Sequence, residues 1–396
     1  MGEWKKCKLG EAPIEIIDGD RGKNYPKKNE FFANDYCIFL NIKNVTTNGF
    51  AFAELNFITR EKDALLRKGR LKRGDVVLTT RGTVGNVGFY DQSVPFDNIR
   101  INSGMVIIRP KGIDENFNYQ LFKYLKKDFE TFATGSAQPQ LPIRDLRAMF
   151  FSLPPFPEQK AIASVLSSLD DKIALLHRQN KTLEAMAETL FRQWFVEEAQ
   201  DDWQDGVIAD LIEFNPQRKL AKGQIVPYLE MAALSTSTFA PTGWYNREFK
   251  SGTKFINGDT LLARITPCLE NGKTAYVTFL EDDQVAWGST EYIVMRPKGG
   301  LHPFFAYTLA RNTDFREYAE GCLEGSSGRQ RVNVDHLKNY DIKLPSPAVI
   351  TQFNAVAESV VQKLHQNSKQ IQTLEKLRDT LLPKLMSGEV RVEYEN

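Results

Sequence analysis

The sequence predicts an α+β protein built from two tandem mixed α/β domains. Two long antiparallel helices separate them, forming an intramolecular coiled coil with approximate two-fold symmetry. Three observations predict this: a repeat that spans half the chain, strand-like segments broken by glycine turns in each copy, and two long stretches with apolar residues spaced by four and three.

The repeat comes first because it sets the architecture. Gly74-Asp75-Val-Val-Leu recurs as Gly258-Asp259-Thr-Leu-Leu, and Arg109-Pro110-Lys111-Gly112 recurs as Arg296-Pro297-Lys298-Gly299. Further on, Gly135-Ser136 answers Gly325-Ser326, Leu153-Pro154 answers Leu344-Pro345, and Thr182-Leu-Glu184 answers Thr373-Leu-Glu375. Order kept over such an interval means tandem domains, not a solenoid of short repeats. The expected boundaries are 1–155 for the first domain, 156–200 for the first helix, 201–346 for the second domain, and 347–396 for the second helix with its tail.

Within the first copy, Asp75-Val-Val-Leu-Thr-Thr80, Gly104-Met-Val-Ile-Ile-Arg109 and Phe150-Phe-Ser-Leu153 read as strands. A glycine-rich turn, Arg81-Gly-Thr-Val-Gly85, follows the first of them. A helix is expected from about Asn118 to Phe132, carried by Tyr119, Phe122, Leu125 and Phe129.

After Pro154-Pro155-Phe156-Pro157 the chain lacks Pro and Gly as far as Glu198. Ile162, Leu166, Leu169, Ile173, Leu176, Asn180, Leu183, Ala187, Leu190 and Trp194 form a heptad seam. At ~1.5 Å per residue such a helix is about 60 Å long. The second seam runs Phe353, Ala357, Val360, Leu364, Asn367, Ile371, Leu374, Arg378, Leu381 and Leu385, ending near Ser387-Gly388. A lone polar seam residue fixes register, because an amide in an apolar layer needs a partner. With Asn180 opposite Asn367 in antiparallel order, Trp194 meets Phe353 and Ile162 meets Leu385. Only Leu169 opposite Arg378 is imperfect. Dimerisation of either helix with another chain is the alternative use of these seams.

Composition excludes several classes. Basic and acidic residues number 51 and 50, so a nucleic-acid role requires local clustering. Cys7, Cys37, Cys268 and Cys322 contain no Cys-x-x-Cys pair, and His177, His302, His336 and His365 lie near none of them, so no metal site is expected. Without an N-terminal apolar run or a stretch of membrane-spanning length, a cytoplasmic protein with no membrane association is expected.

Apparent catalytic motifs fail at named residues. Gly272-Lys273-Thr274 resembles the end of a phosphate loop, but Pro267 replaces its first glycine. Leu153-Pro-Pro-Phe156 has Leu where an amino-methyltransferase motif needs a polar acceptor. Glu158-Gln-Lys160 lacks an upstream acidic partner and reads as helix N-terminal charge. No catalytic residue is assigned.

What remains is loop chemistry suited to duplex DNA, in which Arg reads guanine, Gln reads adenine, and Ser, Thr and backbone N–H groups hold phosphate. In the first copy the candidates are Lys43, Asn44, Thr80, Arg81, Thr83, Ser136, Gln138 and Gln140; in the second they are Arg264, Thr266, Ser289, Ser326, Ser327, Arg329, Gln330 and Arg331. Each could instead be an ordinary solvated loop residue. Arg81 and Arg264 read as equivalent, while Lys43-Asn44 and Trp287-Gly-Ser-Thr-Glu291 have no evident counterparts.

The Leu153-Pro-Pro-Phe-Pro-Glu-Gln159 and Leu344-Pro-Ser-Pro-Ala348 lead-ins, the Leu-Glu pairs at 183–184 and 374–375, the paired Gly-Asp strands and the terminal Leu382-Pro-Lys-Leu-Met-Ser-Gly388-Glu resemble, as an ordered set over the whole chain, the specificity subunits of type I restriction-modification systems. The resemblance implies two target-recognition domains, each binding half of a split double-stranded DNA site, with the helices as a ruler. It also implies two methyltransferase subunits docked on the helices, and restriction subunits in the full complex. S-adenosylmethionine, ATP and Mg would bind only those partners, and this chain would be non-catalytic. Thr351-Gln352 departs from the family's second Glu-Gln, which puts a partner-binding role for Glu158 in doubt. A stand-alone DNA-binding regulator or coiled-coil adaptor, or the recognition half of a methyltransferase, are the alternatives.

Overall fold

The structure, a computed structural model, describes residues 3–135, 139–199, 203–326 and 328–393. The chain divides into two compact units, residues 1–172 with 374–396, and residues 173–373. Both long helices, Phe156–Arg192 with a π turn Gln193–Glu197 and Pro347–Ser387, are shared between the units. The division therefore falls inside the helices, whereas composition shifts at their ends.

The first unit has a four-stranded antiparallel sheet in the order Ile14–Asp18, Met105–Pro110, Asp75–Thr79, Val87–Tyr90. Successive strand residues face opposite sides. Val76, Leu78, Val106 and Ile108 pack with Phe117, Phe122, Phe129, Ile162 and Leu385, while Val77, Met105 and Ile107 pack with Leu40, Ile99 and Ile101. Both faces are covered, so these strands read as unbroken apolar runs. Leu40 and Ile99 belong to a second sheet, in which Cys37–Leu40 pairs parallel with Ile99–Ile101 and antiparallel with Phe57–Ile58. The expected helix is two, Glu115–Tyr124 and Lys126–Phe132. The first starts earlier than Asn118 because the Asp114 side chain caps it, accepting from Phe117 N at 2.9 Å.

The second unit repeats this topology. Its four-stranded sheet runs Ile212–Phe214, Tyr292–Pro297, Thr260–Ala263, Thr274–Tyr276, and its second sheet pairs Ile225–Leu229 parallel with Ala286–Gly288. The segment Trp287–Glu291 thus has a counterpart at 100–104. The turn Ile42–Asn44 likewise has one in Met231–Ala233, each a 3-10 turn after the parallel strand. Sequence concealed both because the turns share almost no residues.

The two repeated motifs are halves of one interaction. Asp75 accepts from Arg109 Nε at 2.8 Å and Nη2 at 2.7 Å, and from Lys72 N at 2.7 Å. Asp259 accepts from Arg296 Nη1 at 2.7 Å and Ile256 N at 2.8 Å. Both carboxylates are fully buried. Gly74 and Gly258, at φ +86 and +83, make the left-handed turn that leads into each.

In the second unit Asn367 Nδ2 donates to Asn180 Oδ1 at 2.8 Å, and the rings of Phe195 and Phe353 lie 5.2 Å apart. One number falls as the other rises, so the helices are antiparallel there. Phe195, not Trp194, supplies the buried ring against Phe353, because the π turn accommodates an extra residue and rotates the helix face. In the first unit the layer at Leu169 is relieved by its neighbour: Arg378 Nη1 donates to Asp170 at 3.2 Å. Asp170 also accepts from Lys123 Nζ at 2.8 Å and Gln120 Nε2 at 2.9 Å.

Glu158 is not a solvated helix-terminal charge. It is fully buried, accepts from Trp4 Nε1 at 3.1 Å and from Arg391 Nη2 at 2.6 Å, and also pairs with Arg391 Nε. It clasps Trp4, near the start of the first unit, and Arg391, beyond the second long helix, onto the first long helix.

Replacing Asp75 with Ala strands the Arg109 guanidinium and is expected to cost about 3–5 kcal/mol in denaturant unfolding. Burial alone would raise the Asp170 carboxyl, but Lys123, Gln120 and Arg378 hold it below its ordinary value. Its contribution is present above the unfolded-state value and is lost as pH falls through the lowered one. Asp170→Asn should therefore flatten the acid limb of the stability curve below about pH 4, followed by denaturation at stepped pH.

Candidate nucleic-acid interface

In each unit the central strand pair runs from the Asp–Arg ion pair to a small ladder of loops. In the first unit Thr80 N donates to Gly104 O at 2.8 Å, Leu141 N to Thr80 O at 2.9 Å, and Gly82 N to Pro139 O at 3.0 Å. In the second, Arg264 N donates to Glu291 O at 3.0 Å, Val332 N to Arg264 O at 2.8 Å, and Thr266 N to Gln330 O at 3.1 Å. The matching bonds set the equivalences: Thr80 with Arg264, Gly82 with Thr266, Gly104 with Glu291. Bridges pair Arg81 with Gln140 and Ile265 with Arg331.

Arg81 is therefore the counterpart of Ile265, not of Arg264. Because extended chain alternates sides, one residue of offset puts the two arginines on opposite faces of the ladder. The Arg81 guanidinium, half-buried, has no hydrogen-bond partner among the described residues. Arg264 bonds inward through Nη2 to Val332 O at 3.3 Å, and its buried Nε has no partner among the described residues.

Other candidates sort by what already holds them. Asn44 is buried; its Oδ1 accepts from Asn41 N at 2.9 Å and its Nδ2 donates to Ala51 O at 3.0 Å and Glu54 O at 2.8 Å. It is a loop clamp rather than a reader. Thr80 is buried with its hydroxyl on Gly104 O at 3.1 Å, and Thr266 is buried with its hydroxyl accepting from Gln330 N at 3.1 Å, so both hold the ladder. The Ser289 hydroxyl accepts from Glu291 N at 3.1 Å, as Asn102 Oδ1 accepts from Gly104 N at 2.8 Å, which identifies a conserved-geometry turn in both copies. Lys43, Thr83, Ser326, Arg329 and Arg331 are exposed and Gln140 and Gln330 half-buried. Ser136, Gln138 and Ser327 lie outside the described residues.

Ile42, beside Lys43, sits where a Cβ on Gly82 or Gly104 would meet it at 3.5 and 3.1 Å, so the 42–44 turn adjoins the ladder. The structure thus gathers Lys43, Arg81, Thr83 and Gln140 around one loop cluster. Lys126, missed in the sequence, approaches Gly85 from the helix side, its Cγ 3.3 Å from a Cβ position there. Glu291, at the end of the 287–291 segment, adds a carboxylate to the second ladder. Its bond to Arg331 holds its carboxyl below the usual range.

The Gly272–Thr274 segment spends its amides internally: Gly272 N on Leu269 O at 2.7 Å, Lys273 N on Cys268 O at 3.0 Å, and Thr274 N on Ser235 O at 3.1 Å. That leaves no cradle for phosphate. Among the described residues no group of three or more His, Cys, Asp or Glu is placed to hold a metal, and no helix is long and apolar enough to cross a membrane.

Residues 1–185 match the family model described as the type I restriction modification DNA specificity domain. Over 99% of its length the chain is 26% identical to the specificity subunit of the type I restriction enzyme MjaIX from Methanocaldococcus jannaschii, spanning 97% of that protein. Over 98% it is 22% identical to the HindI specificity subunit from Haemophilus influenzae, spanning all of it. The crystal structure of a type I restriction-modification S subunit from M. genitalium aligns with a TM-score of 0.58 at 17% identity, covering 97% of this chain and 96% of that one, a likeness of fold.

Asn44→Ala is expected to destabilise the chain by about 1–3 kcal/mol, since it leaves buried backbone groups unpaired. Lys43→Ala should stay within about 0.5 kcal/mol of the parent. Thermal unfolding of the two variants separates clamp from reader.

Proposed function

We propose that the chain is a specificity subunit of the type I restriction-modification family and that it confers DNA sequence specificity by reading a split site, one half per unit. The carrying observation is that two copies of one backbone ladder present different side chains: Gly104 against Glu291, Arg81 against Ile265, Gln140 against Arg331. A shared scaffold with divergent tips suits two readers of unlike half-sites. Arg81, Gln140 and Lys43 are the proposed contacts in one half, Arg329, Gln330 and Arg331 in the other.

The antiparallel helices act in this reading as a ruler that fixes the separation of two target-recognition domains related by approximate two-fold symmetry. They also offer docking surfaces for two methyltransferase subunits, with restriction subunits joining in the full complex in the cytoplasm. S-adenosylmethionine, ATP and Mg act in those partners, and this chain contributes recognition without catalysis. The apparent motifs that fail at Pro267 and Leu153 favour this reading over a methyltransferase fragment.

The test is methylation mapping with the reconstituted modification complex. It should methylate adenines in two half-sites at a fixed spacing, whereas the chain alone should incorporate no methyl groups. Removing one heptad from each long helix shortens the rod by about 10 Å, which should close the spacing by about three base pairs with both half-sites unchanged. Methyl transfer by the chain alone, or altered half-sites at unchanged spacing, would overturn the proposal.

A further inference from the structure

The second unit's ladder carries a feature that its counterpart lacks. Arg331 Nε lies 3.0 and 2.9 Å from the two Glu291 oxygens, and its Nη2 lies 2.7 Å from Oε1, a two-pronged ion pair across the ladder. The pair is open to solvent, with the Arg331 side chain 49% and the Glu291 side chain 22% exposed. Both backbones are fixed, Glu291 O by Arg264 N at 3.0 Å and Arg331 by its bridge to Ile265. In the first unit the same two places hold Gly104 and Gln140, which cannot form such a pair.

An arginine that touches phosphate works best as an unopposed cation. Here any phosphate near Arg331 also approaches the Glu291 carboxylate, and the like charges oppose it. The carboxylate takes the Nε edge of the guanidinium, leaving the outer Nη donors in a fixed plane. Two parallel donors so presented match the O6 and N7 acceptors of guanine in the major groove. We propose that Glu291 is a positioning residue that aims Arg331 at a guanine in the half-site read by the second unit and bars it from phosphate. The inference rests on the DNA-reading role proposed above.

The experiment uses the complex of this chain with its modification subunits, binding labelled duplexes that vary one base pair at a time, at several salt concentrations. The parent complex should discriminate a G·C pair at one position of one half-site by roughly 5- to 150-fold. Arg331→Ala and Glu291→Ala should both reduce that preference to within about twofold, leaving the other half-site untouched. Glu291→Ala and Glu291→Gln should also steepen the dependence of binding on salt by about one ion, as the released guanidinium finds a phosphate. Arg331→Ala should leave the salt dependence as it was.

Base preference retained in Glu291→Ala with unchanged salt dependence would overturn the inference. So would a uniform loss of affinity in Arg331→Ala with a salt slope lower by about one, which marks a phosphate contact. Discrimination at the other half-site reports that each variant is folded. A parent complex that reads no split site at all would refute the underlying function instead.

Discussion

Everything in each unit is set out from a buried carboxylate that joins two neighbouring strands. Asp75 and Asp259 each follow a left-handed glycine, take a guanidinium from the adjacent strand, and close a turn by accepting a backbone N–H. A charge with no access to water is tolerated only when its partners are complete, so the glycine, the aspartate and the arginine constrain one another. Fixing that end fixes the register of the strand pair, with Ile108 across from Val76 in one copy and Met295 across from Thr260 in the other. Register then carries four residues along to the far end, where the loops of the candidate interface begin.

This explains why the repeat could be seen in the sequence and why its functional half could not. Gly-Asp and Arg-Pro-Lys-Gly survive in both copies because they are two sides of one ion pair, and the apolar strands between them are buried on both faces. Heptad spacing carried the helices and the Asn180–Asn367 layer for the same reason: a periodic burial demand is written into the residues that meet it. The π turn at 193–197 carries no such mark, and so Phe195 rather than Trp194 came to face Phe353. Glu158 was hidden because its partners, Trp4 and Arg391, are remote in sequence and belong to no repeat.

Residue likeness and backbone bonding align the loops of the two copies differently, by one residue. Similar neighbourhoods suggested Arg81 with Arg264, but backbone bonding sets Thr80 beside Arg264. In extended chain a single step reverses the face, so Arg81 and Arg264 point to opposite sides of the ladder despite their similar neighbours in sequence. Composition also favoured Asn44, Thr80 and Thr266 as readers, since amides and hydroxyls contact DNA. The same groups are the ones that satisfy buried backbone in tight loops, and that is where these three are used.

A division of labour follows from how the interface is built. Its ladder is held by backbone amides and carbonyls, together with side chains that point inward, such as Asn44 and the Thr266 hydroxyl. Outward side chains are therefore free to differ without loss of fold: Lys43 against Ala232, Gln140 against Arg331, Gly104 against Glu291. The exception shows the limit of that freedom, since a Cβ at Gly104 would press on Ile42 at 3.1 Å. At the equivalent place in the second unit stands Glu291, beside a turn, Met231–Ala233, that shares almost no residues with Ile42–Asn44, so ladder and turn differ together between the two copies. Neighbouring positions of ladder and turn thus differ as a group between two copies of one backbone arrangement.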